Sequence, residues 1–333
     1  MTKVPLVSVL MPFYNADTYI AEAIESVWAQ THANVEFIAI DDGSTDRSLA
    51  IVRELATRSP IAMRVETQAN AGPSATLHRA LALAGGEWVC WLAADDSYSP
   101  HFVARNLALG ESLDGDVILH CNSHMVEANG EIVGILDEHS RLAPLRGQAF
   151  EQFATGKGRM HPSTMFIRRD LLLRSGGFNP TLVAEDHDLT LRLARHGEFH
   201  YLTEPLFNCR RLPGSLGKKP WLWGDDIVGA LARHGDLLGD RLPHLLTQAS
   251  SNVSVNCFEH GGWGHGLRWA GRTINCVPGA RAKARAAAGL ALRIGRAMAR
   301  NTAYRLIGRD RLYRTKRAVL AATGRAPKIV RQP

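Results

Sequence analysis

The chain has 333 residues, 45% of them hydrophobic and 21% charged, which suits a globular protein with one large or two moderate domains and excludes a disordered or fibrous chain. Its net charge of +7 hides an asymmetry: residues 268–333 hold 17 Lys+Arg and one acid, Asp310, whereas the remainder holds 22 basic and 31 acidic residues. An acidic body with a basic tail points to a polyanionic partner for the tail, either anionic lipid or nucleic acid.

Val7–Met11 reads as an apolar strand that stops at Pro12-Phe13-Tyr14-Asn15. A helix follows, with Asn15 or Asp17 as its cap and Ile20, Ile24, Val27 and Trp28 on one face. Val35–Ile40 is the second strand and ends in Asp41-Asp42-Gly43-Ser44-Thr45-Asp46. A helix carrying Leu49, Val52 and Leu55 then runs to about Arg58. Ile61–Glu66 makes a third strand, and Asn70-Ala71-Gly72-Pro73-Ser74 leads into a helix over Ala75–Ala84. The stretch from Gly86 supplies a buried fourth strand that ends in Asp95-Asp96 and turn formers. That stretch alone leaves two readings open. The acids can hold a divalent cation shared with a bound phosphate, or Asp96 or Ser97 can cap a helix after Pro100.

Strand and helix alternate, which predicts a doubly wound, mostly parallel α/β sheet with helices on both faces and ligands bound at the carboxyl ends of its strands. Pro12–Asn15, Asp41-Asp42 and Asp95-Asp96 all fall at such ends. Capping explains any one of them, but three on one edge make a site the better reading. Neither G-x-G-x-x-G in the first βα turn nor G-x-x-x-x-G-K-[ST] occurs, which disfavours a dinucleotide dehydrogenase or P-loop nucleotidase.

Past Asp96 a helix over His101–Ser112 leads to a strand at Asp116–Cys121, a hairpin around Asn129-Gly130 and a short strand at Ser163–Ile167. Glu185-Asp186-His187-Asp188 opens an amphipathic helix with Asp188 and Arg192 spaced as an i,i+4 pair. Acids suit a helix N-terminus, but two of them near an acidic site are also what a general base requires. From Trp221 the pattern is helical, with a break at Gly261-Gly262-Trp263-Gly264. Leu290, Ile294 and Met298 share a face beside Arg293, Arg296 and Arg300, as in a basic amphipathic helix on an anionic membrane or an ordinary solvated helix. Nucleic acid is disfavoured, because no recognised motif or interleaved aromatics accompany the arginines. The five cysteines are widely spaced without C-x-x-C, which fits reduced cytosolic thiols. Neither a signal peptide nor an apolar run of roughly 18–20 residues is evident.

From about Val7 to Ser215 these motifs, taken in order, resemble the inverting family-2 glycosyltransferases of GT-A fold. They are Val7-Ser8-Val9-Leu10-Met11-Pro12-Phe13-Tyr14-Asn15, Ile40–Asp46, Ala84-Gly85-Gly86-Glu87 running into Ala94-Asp95-Asp96, Gly176-Gly177-Phe178, Glu185–Leu193 and Leu202–Leu206. The resemblance implies a GT-A domain over residues 1–215, with a nucleotide-binding half to about 97 and a mixed acceptor half over 98–215. A helical region over 216–333, basic from about 268, follows. It implies that Pro12, Tyr14 and Ser44 border the donor nucleotide, that Asp42, with Asp41 behind it, contacts the base, and that Asp95 faces the donor's ribose or sugar. Asp96 would ligate Mg²⁺ or Mn²⁺ on the diphosphate. Asp186 would deprotonate the acceptor hydroxyl, with Glu185 as the second candidate.

The implied reaction passes a sugar from a nucleoside-diphosphate-sugar donor to a glycan or lipid-linked acceptor. The implied setting is cell-surface polysaccharide or glycolipid synthesis in the cytoplasm, peripheral to the inner face of the membrane. Two departures stand out: Ala93-Ala94 where many relatives have Asp-Ala, and Leu77-His78, with Arg79 nearby, where the family often has Arg-Asn. A sugar nucleotidyltransferase would carry a Gly-rich, Arg/Lys-containing loop in place of Pro12–Asn15. A non-catalytic scaffold on the same fold is favoured by Leu77-His78 and opposed by Asp96 and Asp186.

Overall fold

The computed structural model describes residues 4–140 and 142–307, so residues 308–333 of the basic tail lie outside the described residues. β1 (Val7–Phe13) is buried along nearly all its length, as a strand covered on both faces must be. β2 (Val35–Asp41) pairs with it in parallel, Val7 opposite Val35, and β3 (Ala62–Thr67) extends the sheet beyond β2. On its other side β1 pairs with β4 (Trp88–Trp91), Val7 opposite Trp88. Helices α1 (Ile20–Trp28), α2 (Ser48–Ala56) and α3 (Pro73–Leu83) form the crossovers. Ile20, Ile24 and Val27 of α1 and Val52 and Leu55 of α2 join Val9, Met11 and Phe37 in one apolar core. The backbone N–H of Gly86 donates to Ser8 Oγ at 2.8 Å, and a Cβ there would meet that oxygen at 2.5 Å, so only glycine lets the chain enter β4 this closely.

The second half of the sheet departs from simple alternation. β5 (Ser97–Tyr98) and α4 (Phe102–Glu111) precede β6 (Val117–Val126) and β7 (Ile132–Ile135), which pair antiparallel about a turn where Gly130 has φ +88°. Short helices α5 (Leu136–His139) and α6 (Phe150–Ala154) and a small parallel pair, β8 (Ala143–Pro144) with β9 (Gly158–Arg159), fill the connection that follows. The expected strand at Ser163–Ile167 begins only at β10 (Phe166–Arg168). The N–H groups of Thr164 and Met165 bond back to the carbonyls of His161 and Pro162, which commits Pro162–Thr164 to a 3₁₀ turn. β10 lies antiparallel to both β4 and β6, so the mostly parallel sheet has an antiparallel seam.

After α7 (Arg169–Arg174) and α8 (Glu185–Leu193), β11 (Glu198–Arg210) runs parallel to β6, and its far end pairs with β5. Sequence periodicity does not reveal β11, because Thr203-Glu204-Pro205 interrupts its alternation; the register shifts around Pro205, which has no N–H to donate. Among the described residues the sheet order is β3-β2-β1-β4-β10-β6-β11-β5, with β7 beside β6.

The chain divides into two compact units, Met1–Ser215 with Asp225–Leu245 and Leu216–Gly224 with Leu246–Pro333. Residues 225–245 thus belong with the sheet. They include most of α9 (Pro220–Arg233), α10 (Gly235–Leu238) and the start of α11 (Leu242–Glu259). Within the second unit, α12 (Trp263–Asn275) exposes Trp263 and Leu267, while α13 (Ala280–Ile307) buries Leu290 and Ala297 and places Arg293 against Ser251 Oγ at 2.6 Å. Of the Leu290 face, Leu290 is buried and Ile294 and Met298 are half-buried. No helix among the described residues is long and apolar enough to cross a membrane.

Candidate active site

The first two strand ends are tied together by a strained residue. Phe13 lies opposite Asp41, and the chain then turns through Asn15 at φ +48°. The Asn15 side-chain oxygen accepts the Thr45 N–H at 2.8 Å, and the Asn15 N–H donates to Ser44 Oγ at 3.0 Å. Left-handed backbone at a non-glycine residue is costly and collects at functional sites. Here it leaves Tyr14 half exposed above Pro12. Asn15 and Asp17 do not cap α1, whose N-cap position is Tyr19 with no side-chain bond. Their oxygens or amides are engaged by the second loop, for Asp17 N–H donates to Asp46 and Asn15 bonds Thr45.

Asp41 and Asp42 are both buried. Asp41 accepts the Ser44 N–H at 3.0 Å and the Thr67 hydroxyl at 3.3 Å. Asp42 accepts from the N–H groups of Ala71 and Gly72 and from Gln68 Nε2, at 2.8–2.9 Å. Its carboxylate thus shapes the loop that enters α3. Gly43, at φ +77°, completes the crossing, since a Cβ there would lie 3.0 Å from the Asn70 nitrogen.

Asp95 and Asp96 occupy a tight turn between β4 and β5, closed by Asp96 N–H to the Ala93 carbonyl. The helix-cap reading fails, because α4 starts after His101 without a side-chain cap and Ser97 lies in β5. Asp96 Oδ1 instead accepts the backbone N–H of Arg210 at 2.7 Å, across the β5–β11 pairing. The Arg210 guanidinium donates to the carbonyls of Asp95, Glu127 and Ala128 and to Glu22, and it stacks on Tyr19. Burial raises the proton affinity of Asp95, and that of Asp96 well above the usual carboxylate range; the Asp95 charge adds to the latter and Arg210 offsets part of both. Two desolvated acids with one nearby cation, itself already shared, make a site that a further cation stabilises.

A third group gathers at the start of α8. Glu185 accepts the Ser74 hydroxyl at 3.0 Å, which joins the acid pair to α3 directly after the loop held by Asp42. Asp226 of α9 accepts the N–H groups of Val183 and Ala184 at 2.6 and 2.9 Å and so fixes the approach to Glu185-Asp186. Burial raises the pKa of both Glu185 and Asp186, with the Asp186 charge next for Glu185 and the Asp226 charge adding to each. Two residues past Asp186, Asp188 is held as a carboxylate by Arg192 and Arg233 at 2.8 Å, which anchors α8 and realises the expected i,i+4 pair.

Ser74, Asp226 and Arg210 escape sequence reading, as each acts on a residue distant along the chain; Ser74 and Glu185 are 111 positions apart. No hydrogen bond or ion pair among the described residues joins the Asp95-Asp96 turn to Glu185 or Asp186. Between the segments that carry them, Trp91 of β4 packs edge-on to Phe178, and His78 of α3 bonds the Phe178 carbonyl. Leu77 is buried, and Arg79 is held by Glu66, Gln68 and the Thr67 carbonyl.

Asp226→Asn is expected to keep the two backbone bonds through its amide oxygen while removing a charge. The acid limb of the pH–rate profile should then move to lower pH, since both Glu185 and Asp186 lose a group that strengthens their hold on the proton. An unmoved limb in kcat/KM against pH would exclude this role for Asp226.

The family model Glycosyl transferase family 2 matches residues 8–172. An uncharacterized glycosyltransferase of Rickettsia typhi is 27% identical over 211 residues, covering 63% of this chain and 65% of that protein. One of Nostoc is 31% identical over 170 residues, 50% of this chain and 52% of that protein. The hyaluronan synthase of Pasteurella multocida is 27% identical over 215 residues, 62% of this chain and 21% of its own length. The chain thus spans from about a fifth to just under two thirds of these relatives. Among solved structures, S. aureus TarS in complex with UDP-GlcNAc shares the fold with a TM-score of 0.62 at 20% identity, over 90% of this chain and 91% of that one. The mannosyltransferase PcManGT of Pyrobaculum calidifontis, in complex with GDP-Man and Mn²⁺, does so with a TM-score of 0.57 at 20% identity, over 96% and 88%. By the family model and its curated relatives, residues 8–172 of the chain form a glycosyl transferase family 2 domain.

Proposed function

We propose that the chain transfers a sugar from a nucleoside-diphosphate-sugar donor to a hydroxyl acceptor, with inversion at the anomeric carbon. The observation that carries this reading is the Ser74–Glu185 bond, which sets the acid pair of α8 directly beside the loop that Asp42 shapes. Donor-side residues on three strand ends and a base at the start of α8 then serve one reaction. Pro12, Tyr14 and Ser44 border the nucleotide, Asp41 and Asp42 hold the loop that meets its base, and Asp95 faces the sugar. Asp186 takes the proton of the attacking hydroxyl. Glu185, braced by Ser74, is the second candidate, and the raised proton affinity of the pair suits a base that must accept a proton near neutral pH.

A divalent cation, Mg²⁺ or Mn²⁺, fits at Asp96, where buried negative charge exceeds its compensation and Oδ1 alone is taken by Arg210. When bound, such an ion supplies Lewis-acid stabilisation of the departing diphosphate. The TarS and PcManGT complexes, with UDP-GlcNAc and with GDP-Man and Mn²⁺, make UDP- and GDP-sugars the first donors to try. Saturation-transfer NMR with UDP, GDP and TDP tests donor binding: contact with at least one nucleotide is expected, and contact with none would favour a scaffold.

The acceptor we infer is a glycan or lipid-linked sugar at the cytoplasmic face of a membrane, on the support of the basic tail. In the described part of that tail Arg281, Arg285 and Arg296 are exposed. Near an anionic surface each basic residue contributes about 1 kcal/mol. Replacing the three by Glu should therefore weaken binding to phosphatidylserine vesicles steeply and leave nucleotide binding unchanged. Equal vesicle binding in a sedimentation assay would remove the membrane from the account.

A further inference from the structure

We propose that His161 and Cys209 join Asp96 as ligands of the divalent cation, forming a mixed oxygen–nitrogen–sulfur site that prefers Co²⁺, Zn²⁺ or Mn²⁺ to Mg²⁺. The inference rests on the reading of Asp96 as the residue that holds the cation of the donor diphosphate, and it adds two ligands that neither motif nor resemblance supplies.

Three separate elements deliver the donor atoms. Asp96 stands on the turn after β4, His161 immediately precedes the 3₁₀ turn that leads into β10, and Cys209 is the penultimate residue of β11. One potential ligand atom from each lies within 4.8 Å of the other two. The pairing of β5 with β11 brings Cys209 beside Asp96, since Asn208 lies opposite Ser97. The His161 ring packs on Phe207 at 4.8 Å with Nε2 3.4 Å from Cys209 Sγ, so it is already oriented toward the other two donors.

The independent sign of a missing partner is His161 Nδ1, a buried nitrogen with no hydrogen-bond partner. Such atoms are rare in native proteins, because an unpaired buried polar group forfeits its hydration without a replacement bond. An ion ligated through Nδ1 would give that atom its partner directly, whereas one ligated through Nε2 would fix Nδ1 as the protonated nitrogen. The donor set then selects among ions. Mg²⁺ takes oxygen ligands and keeps its waters, whereas imidazole and thiolate draw Zn²⁺, Co²⁺ and, through the imidazole, Mn²⁺. Cys209 binds as thiolate, its proton passing to solvent.

The test uses the full chain, stripped of metal with chelator and titrated with Co²⁺ in the absence of nucleotide. The expected result is a sulfur-to-cobalt charge-transfer band in the near ultraviolet that disappears in Cys209→Ser. His161→Gln should weaken Co²⁺ binding by about tenfold or more, at least the cost of losing a supporting residue around a metal. Far-UV circular dichroism shows whether each variant is folded, and either variant alone suffices. The absence of a band in the wild type, a band that survives Cys209→Ser, or unchanged Co²⁺ affinity in a folded His161→Gln would overturn the proposal. If wild-type protein releases nucleotide from a donor with Mg²⁺ yet shows no band, this inference fails and glycosyl transfer stands. If the band forms and no donor is ever cleaved, the metal site stands and the transfer reading fails.

Discussion

Asp186→Asn is expected to lower turnover by about 10²–10⁴-fold, the usual contribution of a general base, while nucleotide affinity stays unchanged. The substitution keeps the size of the side chain and removes its ability to take a proton. It also carries a stability signature. Asp186 has a raised pKa because burial disfavours its charge, so the folded state binds its proton more tightly than the unfolded state does. Stability from such a group is present below the unfolded pKa and is lost as pH rises from there through the folded value. The wild type therefore carries a penalty near neutral pH that Asp186→Asn lacks. Urea unfolding should show the variant as the more stable protein at about pH 8, with the gap closing toward about pH 4, the ordinary range of the group. A variant that is both less active and less stable at pH 8 would mark Asp186 as structural.

Arg210→Ala is expected to cost about 3–5 kcal/mol in chemical denaturation, the range for breaking a buried charged network. The carbonyls of Asp95 and Ala128 lose their donor, that of Glu127 keeps only the Gly130 N–H, Tyr19 loses the stacked guanidinium, and Asp95 and Asp96 lose their neighbouring positive charge. The bond to Glu22 adds little, as that carboxylate is half exposed. Arg210→Lys should not rescue, because a single ammonium cannot span partners placed for a planar fork. A loss below about 1 kcal/mol, the size of an ordinary surface substitution, would show that the turn holds itself.

The first half of the sheet was legible because short, mostly apolar runs such as Val7–Met11, bounded by turn formers, fit buried parallel strands, and acids at their ends have no packing role. Asp95-Asp96 was ambiguous locally, and the pairing of β5 with β11 resolves it by giving Asp96 a backbone donor on another strand. β11 itself was hidden by Thr203-Glu204-Pro205, and the seam at β10 by a 3₁₀ turn that apolar content cannot distinguish from a strand. Asp42 was expected at the nucleotide base and is found bonded to the Ala71–Gly72 loop, a contact that depends on how β2 and α3 meet. Ser74, Asp226 and Arg210 belong to the same class: each looks like an ordinary loop, helix or strand-end residue until the fold closes.

The central claim is tested most directly by incubating the protein, with Mn²⁺ present, with UDP-, GDP- and TDP-sugars and measuring nucleoside diphosphate release alongside Asp186→Asn. Release from at least one donor by the wild type, falling by about 10²–10⁴-fold in the variant, is the result expected. Equal release by both proteins, or none from any donor by a protein that is folded and metal-loaded, would contradict it.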